Sequence, residues 1–141
     1  MTANPLVGTW RLVSCETVSG DGTVSYPLGR DATGLIVYTD DGYMAVSIMQ
    51  PHREPFASGD LLGGSDHEKA RAAESYISYC GRYEYRGDVV IHRVELSLFP
   101  NWIGGDQERS VDLDGRRLTL RAAPRIIHGV EQSARLVWQR A

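Results

Sequence analysis

His92, Tyr83, Arg109 and Gln107 are polar residues set among alternating aliphatic side chains, and together they hold the means of acid–base chemistry. An imidazole exchanges a proton near neutral pH, and a phenol beside it orients the ring or donates a hydrogen bond. A guanidinium and a carboxamide stabilise negative charge on a developing enolate or carboxylate oxygen. Such a set would cyclise, isomerise or dehydrate a bound molecule without a cofactor, with His92 and Tyr83 as the catalytic pair. The same residues have a plainer reading. A His and a Tyr facing each other across two strands commonly form a satisfied internal hydrogen bond, and an inward Arg commonly clamps a ligand or completes an ion pair. A buried guanidinium needs a counter-charge. Arg109 therefore implies either an internal acid, for which Glu95 qualifies if a bulge turns it inward, or an anionic group on a ligand.

Hairpin registers decide which side chains share a face, because alternate residues of a strand point to opposite sides. A two-residue turn at Asp114-Gly115 sets Val111 opposite Leu118 and Arg109 opposite Leu120, and sends Arg109 and Gln107 inward. A two-residue turn at Gly87-Asp88 sets Tyr85 opposite Val90 and Tyr83 opposite His92, with Val94 and Leu96 on the same side. The hairpin around Asp40-Asp41-Gly42 sorts Leu35, Val37, Met44, Val46 and Ile48 to an apolar wall and leaves Tyr38 and Tyr43 opposite. Val24, Tyr76, Tyr79, Phe99 and Trp102 are candidates for the mouth. The ligand contacts expected from this reading are Arg109, Gln107, Tyr38, Met44, Tyr76, Phe99 and Trp102.

The elements that hold these residues read as short β-branched and aromatic runs separated by Gly, Asp and Pro. Eight strands are expected, near residues 6–18, 33–39, 43–49, 81–86, 89–99, 106–113, 116–122 and 131–140. The connection over 19–32 is long enough to close one end, with room for a further short strand around Val24. A single helix interrupts the series. Ser65 and Glu68 form a capping box at its start, Ala70, Ala72, Ala73, Tyr76, Ile77 and Cys80 give it an apolar face, and Gly81 is placed to stop it. The preceding QPHREPFASGDLLGG reads as an irregular crossing. Eight antiparallel strands close most simply as an all-β, up-and-down barrel with one short helix near the mouth, just wide enough for side chains or one small ligand. A two-sheet sandwich is the alternative.

Composition bounds the rest. A chain of 141 residues, 42% hydrophobic and 23% charged, suits a single folded domain over residues 1–141. With 15 basic and 18 acidic residues interspersed there is no basic stripe for nucleic acid. No apolar run is long enough to span a membrane, and MTANPLVGTW lacks the pattern of a secretion signal, so a cytoplasmic protein is expected. Cys15 and Cys80 are too far apart in sequence, and too few, for a disulfide scaffold or a zinc site. His52, His67 and His128 lack a second ligand at short spacing and read as solvated. No metal and no cofactor is expected, since G-x-S-x-G, H-E-x-x-H, C-x-x-C and glycine-rich phosphate loops are all missing. Oligomeric state is left open.

Gly8 and Trp10, in LVGTWRLV, fit the point where a first strand crosses the closed end of a barrel, the glycine permitting close backbone approach and the indole plugging the cavity. With the terminal Leu136-Val137-Trp138-Gln139-Arg140, this G-x-W resembles the lipocalin and fatty-acid-binding superfamily, in which an Arg of the last strand packs over the Trp. A longer pattern resembles the lipocalin-like family of small bacterial and fungal domains within it: Tyr38-Thr39-Asp40-Asp41-Gly42-Tyr43-Met44, Gly81-Arg82-Tyr83, His92, Ser97-Leu98-Phe99-Pro100-Asn101-Trp102-Ile103-Gly104 and Gln107-Glu108-Arg109. The resemblance implies a lipocalin-like barrel, structural roles for Gly8, Trp10 and Arg140, and a small-molecule ligand or substrate. Two functions are compatible with it: a cofactor-independent cyclase, isomerase or dehydratase acting on a polyketide-like secondary-metabolite intermediate, or a non-catalytic small-molecule carrier.

Overall fold

The computed structural model describes residues 4–141; residues 1–3, the head of the segment read for a secretion signal, lie outside the described residues. Eight strands close into an antiparallel barrel. β1 (Gly8–Ser19) is followed by the two-residue β2 (Val24–Ser25), then β3 (Thr33–Tyr38), β4 (Tyr43–Met49), helix α1 (Asp66–Glu74), β5 (Tyr76–Tyr85), β6 (Val89–Ser97), β7 (Asp106–Asp114), β8 (Arg117–Ile127) and β9 (Val130–Arg140). The order is β1-β3-β4-β5-β6-β7-β8-β9, and β9 returns to pair with β1 from Trp10↔Arg140 to Ser19↔Gln132. β2 lies outside this ring, against Thr17 and Val18.

Local chemistry explains the joints. Gly42, Gly87, Gly115 and Gly129 take positive φ at four hairpin turns, where a Cβ would be strained. Gly81 has a different reason to be glycine: a Cβ there would overlap the carbonyl oxygen of Arg93 on the neighbouring strand. It marks a bulge, with Gly81 opposite Val94 but Cys80 opposite Leu96.

That bulge corrects two expectations. Leu96 was placed inward beyond Val94, but the extra residue flips it outward to 68% exposed, and Glu95 is exposed as well. The helix is also shorter than expected. Its capping box forms, but it ends at Glu74, where Arg53 donates to the Ala72 carbonyl and to Ser75 Oγ. Tyr76 to Cys80 extend β5 against β4 instead, because aromatic and β-branched residues at period two fit an open strand edge better than a helix without buried residues.

The Asp40–Gly42 hairpin has a three-residue turn, which pairs Tyr38 with Met44 and Ile36 with Val46. The inward set of β3 is therefore Ile36 and Tyr38, whereas Leu35 is exposed and Val37 half-buried. The β7–β8 register is offset by two, with Val111 opposite Leu120 and Leu113 opposite Leu118. An offset of two leaves every side chain on its expected face. β8 runs five residues past its expected end, through a register shift around Pro124, which has no N–H to give the ladder.

The closed end is well packed. Trp10 is fully buried, its Nε1 donates to the Leu6 carbonyl at 2.9 Å, and the Arg140 guanidinium lies over its ring at 3.9 Å. Arg140 donates in turn to the carbonyls of Val7 and Pro5. Gly8, at φ +126°, makes room for it: a Cβ there would stand 2.7 Å from Arg140 Nη1.

Candidate functional site

Between this plug and the open end lies a cavity of about 730 Å³, within the range of small-molecule sites. Ile36, Val46, Ile48, Leu120 and Leu136 form an aliphatic wall, with Trp138 among them. Tyr76, Phe99, Trp102 and Ile126 stand at the mouth, beside Ala73 and Glu74 at the end of α1. Trp102 is held edge-on by Phe99 on one side and Tyr79 on the other.

The polar groups on this lining are few. His92 is 1% exposed, and both its nitrogens are engaged: Nε2 with the Tyr38 hydroxyl at 2.7 Å and Nδ1 with the Tyr79 hydroxyl at 2.6 Å. Burial, reinforced by the nearby Arg109 cation, pushes its pKa down to about 3. Its imidazole is therefore neutral at physiological pH. Burial raises the pKa of Tyr38 well above the usual phenol range and also raises that of Tyr79, although Arg109 opposes both shifts. All three rings are uncharged at neutral pH.

Arg109 is 8% exposed and lines the cavity, donating to the Glu108 carbonyl at 2.9 Å and to Gln107 Oε1 at 3.1 Å. Both acceptors are neutral. Arg125, also on the lining, lies over the Trp102 ring at 5.3 Å, and burial together with Arg109 lowers its pKa. Among the described residues neither guanidinium has a carboxylate within salt-bridge distance. The Nε1 of fully buried Trp138 is likewise without an acceptor among the described residues. Two cations therefore line the cavity without a paired carboxylate, while the indole N–H of Trp138 is buried out of its reach.

The sequence-expected residues separate into two groups. Arg109, His92, Tyr76, Phe99 and Trp102 come together on the lining. Tyr83 does pair with His92 across β5 and β6, but its hydroxyl donates to the Thr39 carbonyl at 2.8 Å and accepts from Asn4 Nδ2 at 2.9 Å. It leans toward the closed end and does not hydrogen-bond His92. Gln107 accepts from Arg109, Met44 sits in the core, and Tyr38 stands behind His92; these three lie off the lining.

A family model for the lipocalin-like domain matches residues 7–141. The chain belongs to the lipocalin-like domain family. It is 37% identical over 106 residues to the 4'-hydroxy-3'-methoxypropiophenone carrier protein ppsC of Aspergillus oryzae, a match covering 69% of this chain and 96% of that protein. Among solved structures it is similar to an uncharacterized protein from Bacteroides eggerthii, with TM-score 0.48, 16% identity, and 96% of this chain and 99% of that chain covered. It is also similar to a variant of the fluorescent protein UnaG, with TM-score 0.41, 15% identity and 96% of each chain covered.

Three residues of this lipocalin-like site escaped sequence reasoning: Tyr38 and Tyr79 as the partners of His92, and Arg125 as a second cation. A signal existed for the tyrosines. The three residues Asp-Asp-Gly favour a bulged hairpin loop, which by itself puts Tyr38 on the face of Met44 and Val46. Tyr79 has the same parity as Tyr83 once the strand is continued backward through Gly81.

Proposed function

We propose that this barrel binds and carries a small, largely apolar molecule that presents an oxygen to the cavity. The observation that carries the reading is the cavity itself: about 730 Å³, walled by aliphatic and aromatic groups, with the donors of Arg109 and Arg125 unmatched by any carboxylate within salt-bridge distance. Apolar walls supply affinity and a few fixed polar groups supply orientation. The named ligand of the Aspergillus oryzae relative, an aromatic ketone with hydroxyl and methoxy groups, is a molecule of that kind. A cytoplasmic carrier that shelters a secondary-metabolite intermediate between enzymes fits these properties.

A second reading has one observation in its favour. The hydrogen-bonded run Tyr38–His92–Tyr79 ends on the cavity, where it would serve to deliver a proton in a cyclisation, isomerisation or dehydration. Against it stands the chemistry of His92, held neutral with both nitrogens engaged and therefore a poor base near pH 7.

Isothermal titration with 4'-hydroxy-3'-methoxypropiophenone, followed by mass analysis of the recovered compound, separates the two readings. The carrier reading expects one-to-one binding and recovery of the compound unchanged. Ala134→Trp, which drives a large side chain into the cavity from a half-buried lining position, is expected to weaken binding at least about ten-fold. Conversion of the recovered compound would sink the carrier reading in favour of catalysis.

A further inference from the structure

The hydroxyl of Tyr38 is buried and, among the described residues, has one hydrogen-bond partner, His92 Nε2. The hydroxyl of Tyr83, whose ring packs edge-on against Tyr38, is engaged with Asn4 and the Thr39 carbonyl. A phenol has one proton to place. If Nε2 carried the imidazole hydrogen and donated it to Tyr38, the tyrosine's own proton would be buried with no acceptor. The other arrangement puts the unplaced proton where a ligand can accept it: Tyr38 donates to Nε2, the hydrogen of the neutral imidazole sits on Nδ1, and Nδ1–H donates to the oxygen of Tyr79, which lines the cavity as Tyr38 does not.

Tyr79 accepts from His92 in this arrangement, so its own proton is free to turn away from the imidazole. Tyr79 lies on the cavity lining, and its ring is fixed edge-on against Trp102. Two cations on the same lining have the same polarity. Arg109 and Arg125 donate only. Thr17, also on the lining, places its hydroxyl proton on Gln132 Oε1, and Glu74 stands at the rim, exposed at the end of α1.

We propose that Tyr79 is the hydrogen-bond donor that reads the ligand, and that Tyr38, acting through His92, sets this polarity, so that the cavity selects a carbonyl or carboxylate oxygen at Tyr79. The inference rests on the binding reading above and adds the ligand chemistry and the positioning residue. Tyr38 does not touch the ligand; it fixes the tautomer of the imidazole that does the orienting. The low pKa of His92 agrees with this neutral arrangement.

Two measurements test it. In protein labelled with 15N at the histidine rings, the His92 nitrogens should show the hydrogen on Nδ1 near pH 7; a hydrogen on Nε2 overturns the assignment without any variant. The second compares propiophenone with propylbenzene, which lacks only the carbonyl oxygen, in the unmodified protein and in Tyr79→Phe and Tyr38→Phe. The ketone-to-hydrocarbon affinity ratio is expected to fall about ten-fold in both variants, while propylbenzene affinity changes by less than about two-fold. A merely structural role for Tyr38 would weaken both probes alike. An unchanged ratio in Tyr79→Phe overturns the donor assignment, and one in Tyr38→Phe overturns the relay, each leaving the binding reading intact. Failure of both probes to bind the unmodified protein overturns the binding reading itself.

Discussion

The Trp10→Ala variant is expected to lose about 4 kcal/mol of unfolding free energy, a large part of what a domain of this size has. The indole is fully buried at the closed end, so its removal leaves a cavity that the stiff rims of three paired strands cannot collapse around. The loss extends beyond packing. Trp10 Nε1 satisfies the Leu6 carbonyl, and the ring face carries the Arg140 guanidinium, which ties down Val7 and Pro5. Without the ring the Leu6 carbonyl loses its donor and the Arg140 guanidinium loses the face it lies on. Urea denaturation measures the effect, with the midpoint falling and the slope unchanged. A loss under about 1.5 kcal/mol would mean that the plug is not a principal support of the barrel.

Acidification should also weaken the fold, and His92 should dominate the early part of that loss. Its folded pKa of about 3 lies below the ordinary histidine value of 6.5, so the unfolded chain takes up the proton first. Stability from this source is full above about pH 7, falls as pH drops through the unfolded value, and levels off near the folded one. From pH 8 to pH 5 the single group accounts for about 2 kcal/mol. Gln in place of His92 keeps a polar side chain between the two tyrosine hydroxyls but does not titrate, so His92→Gln should show a slope shallower by that amount across the same range. Parallel pH profiles for the two proteins would show that His92 is not held neutral in the fold.

Some of the site was legible in the sequence because its determinants are local. Gly8 and Trp10 sit two residues apart and announce the closed end by type and spacing, and the structure supplies the reason in the contact that a Cβ at Gly8 would make with Arg140. The pairing of Tyr83 with His92 follows from one tight turn at Gly87. Arg109 points inward even though its register was displaced by two, since parity survives such an error.

What stayed hidden depends on events several residues away. Tyr38 reaches His92 only because the Asp40–Gly42 loop has three residues, which exchanges the two faces of β3. Tyr79 lies in a stretch whose alanines and capping box favour helix upstream, while the edge of β4 claims it for a strand. Leu96 is turned outward by a bulge demanded by the approach of Arg93 to Gly81. Arg125 follows Pro124, where the ladder slips and simple alternation no longer says which way a side chain faces. Helix ends, bulges and loop lengths are set by tertiary contacts, and a period-two pattern does not contain them.

The central claim is that the cavity holds a small molecule, and native mass spectrometry of freshly purified protein tests it most directly. The account predicts a mass excess equal to one small molecule, either carried through purification or acquired on incubation with propiophenone, lost on denaturation and diminished in Ala134→Trp. An unliganded mass under both conditions, with no excess over the sequence mass in either the unmodified protein or the variant, would contradict it.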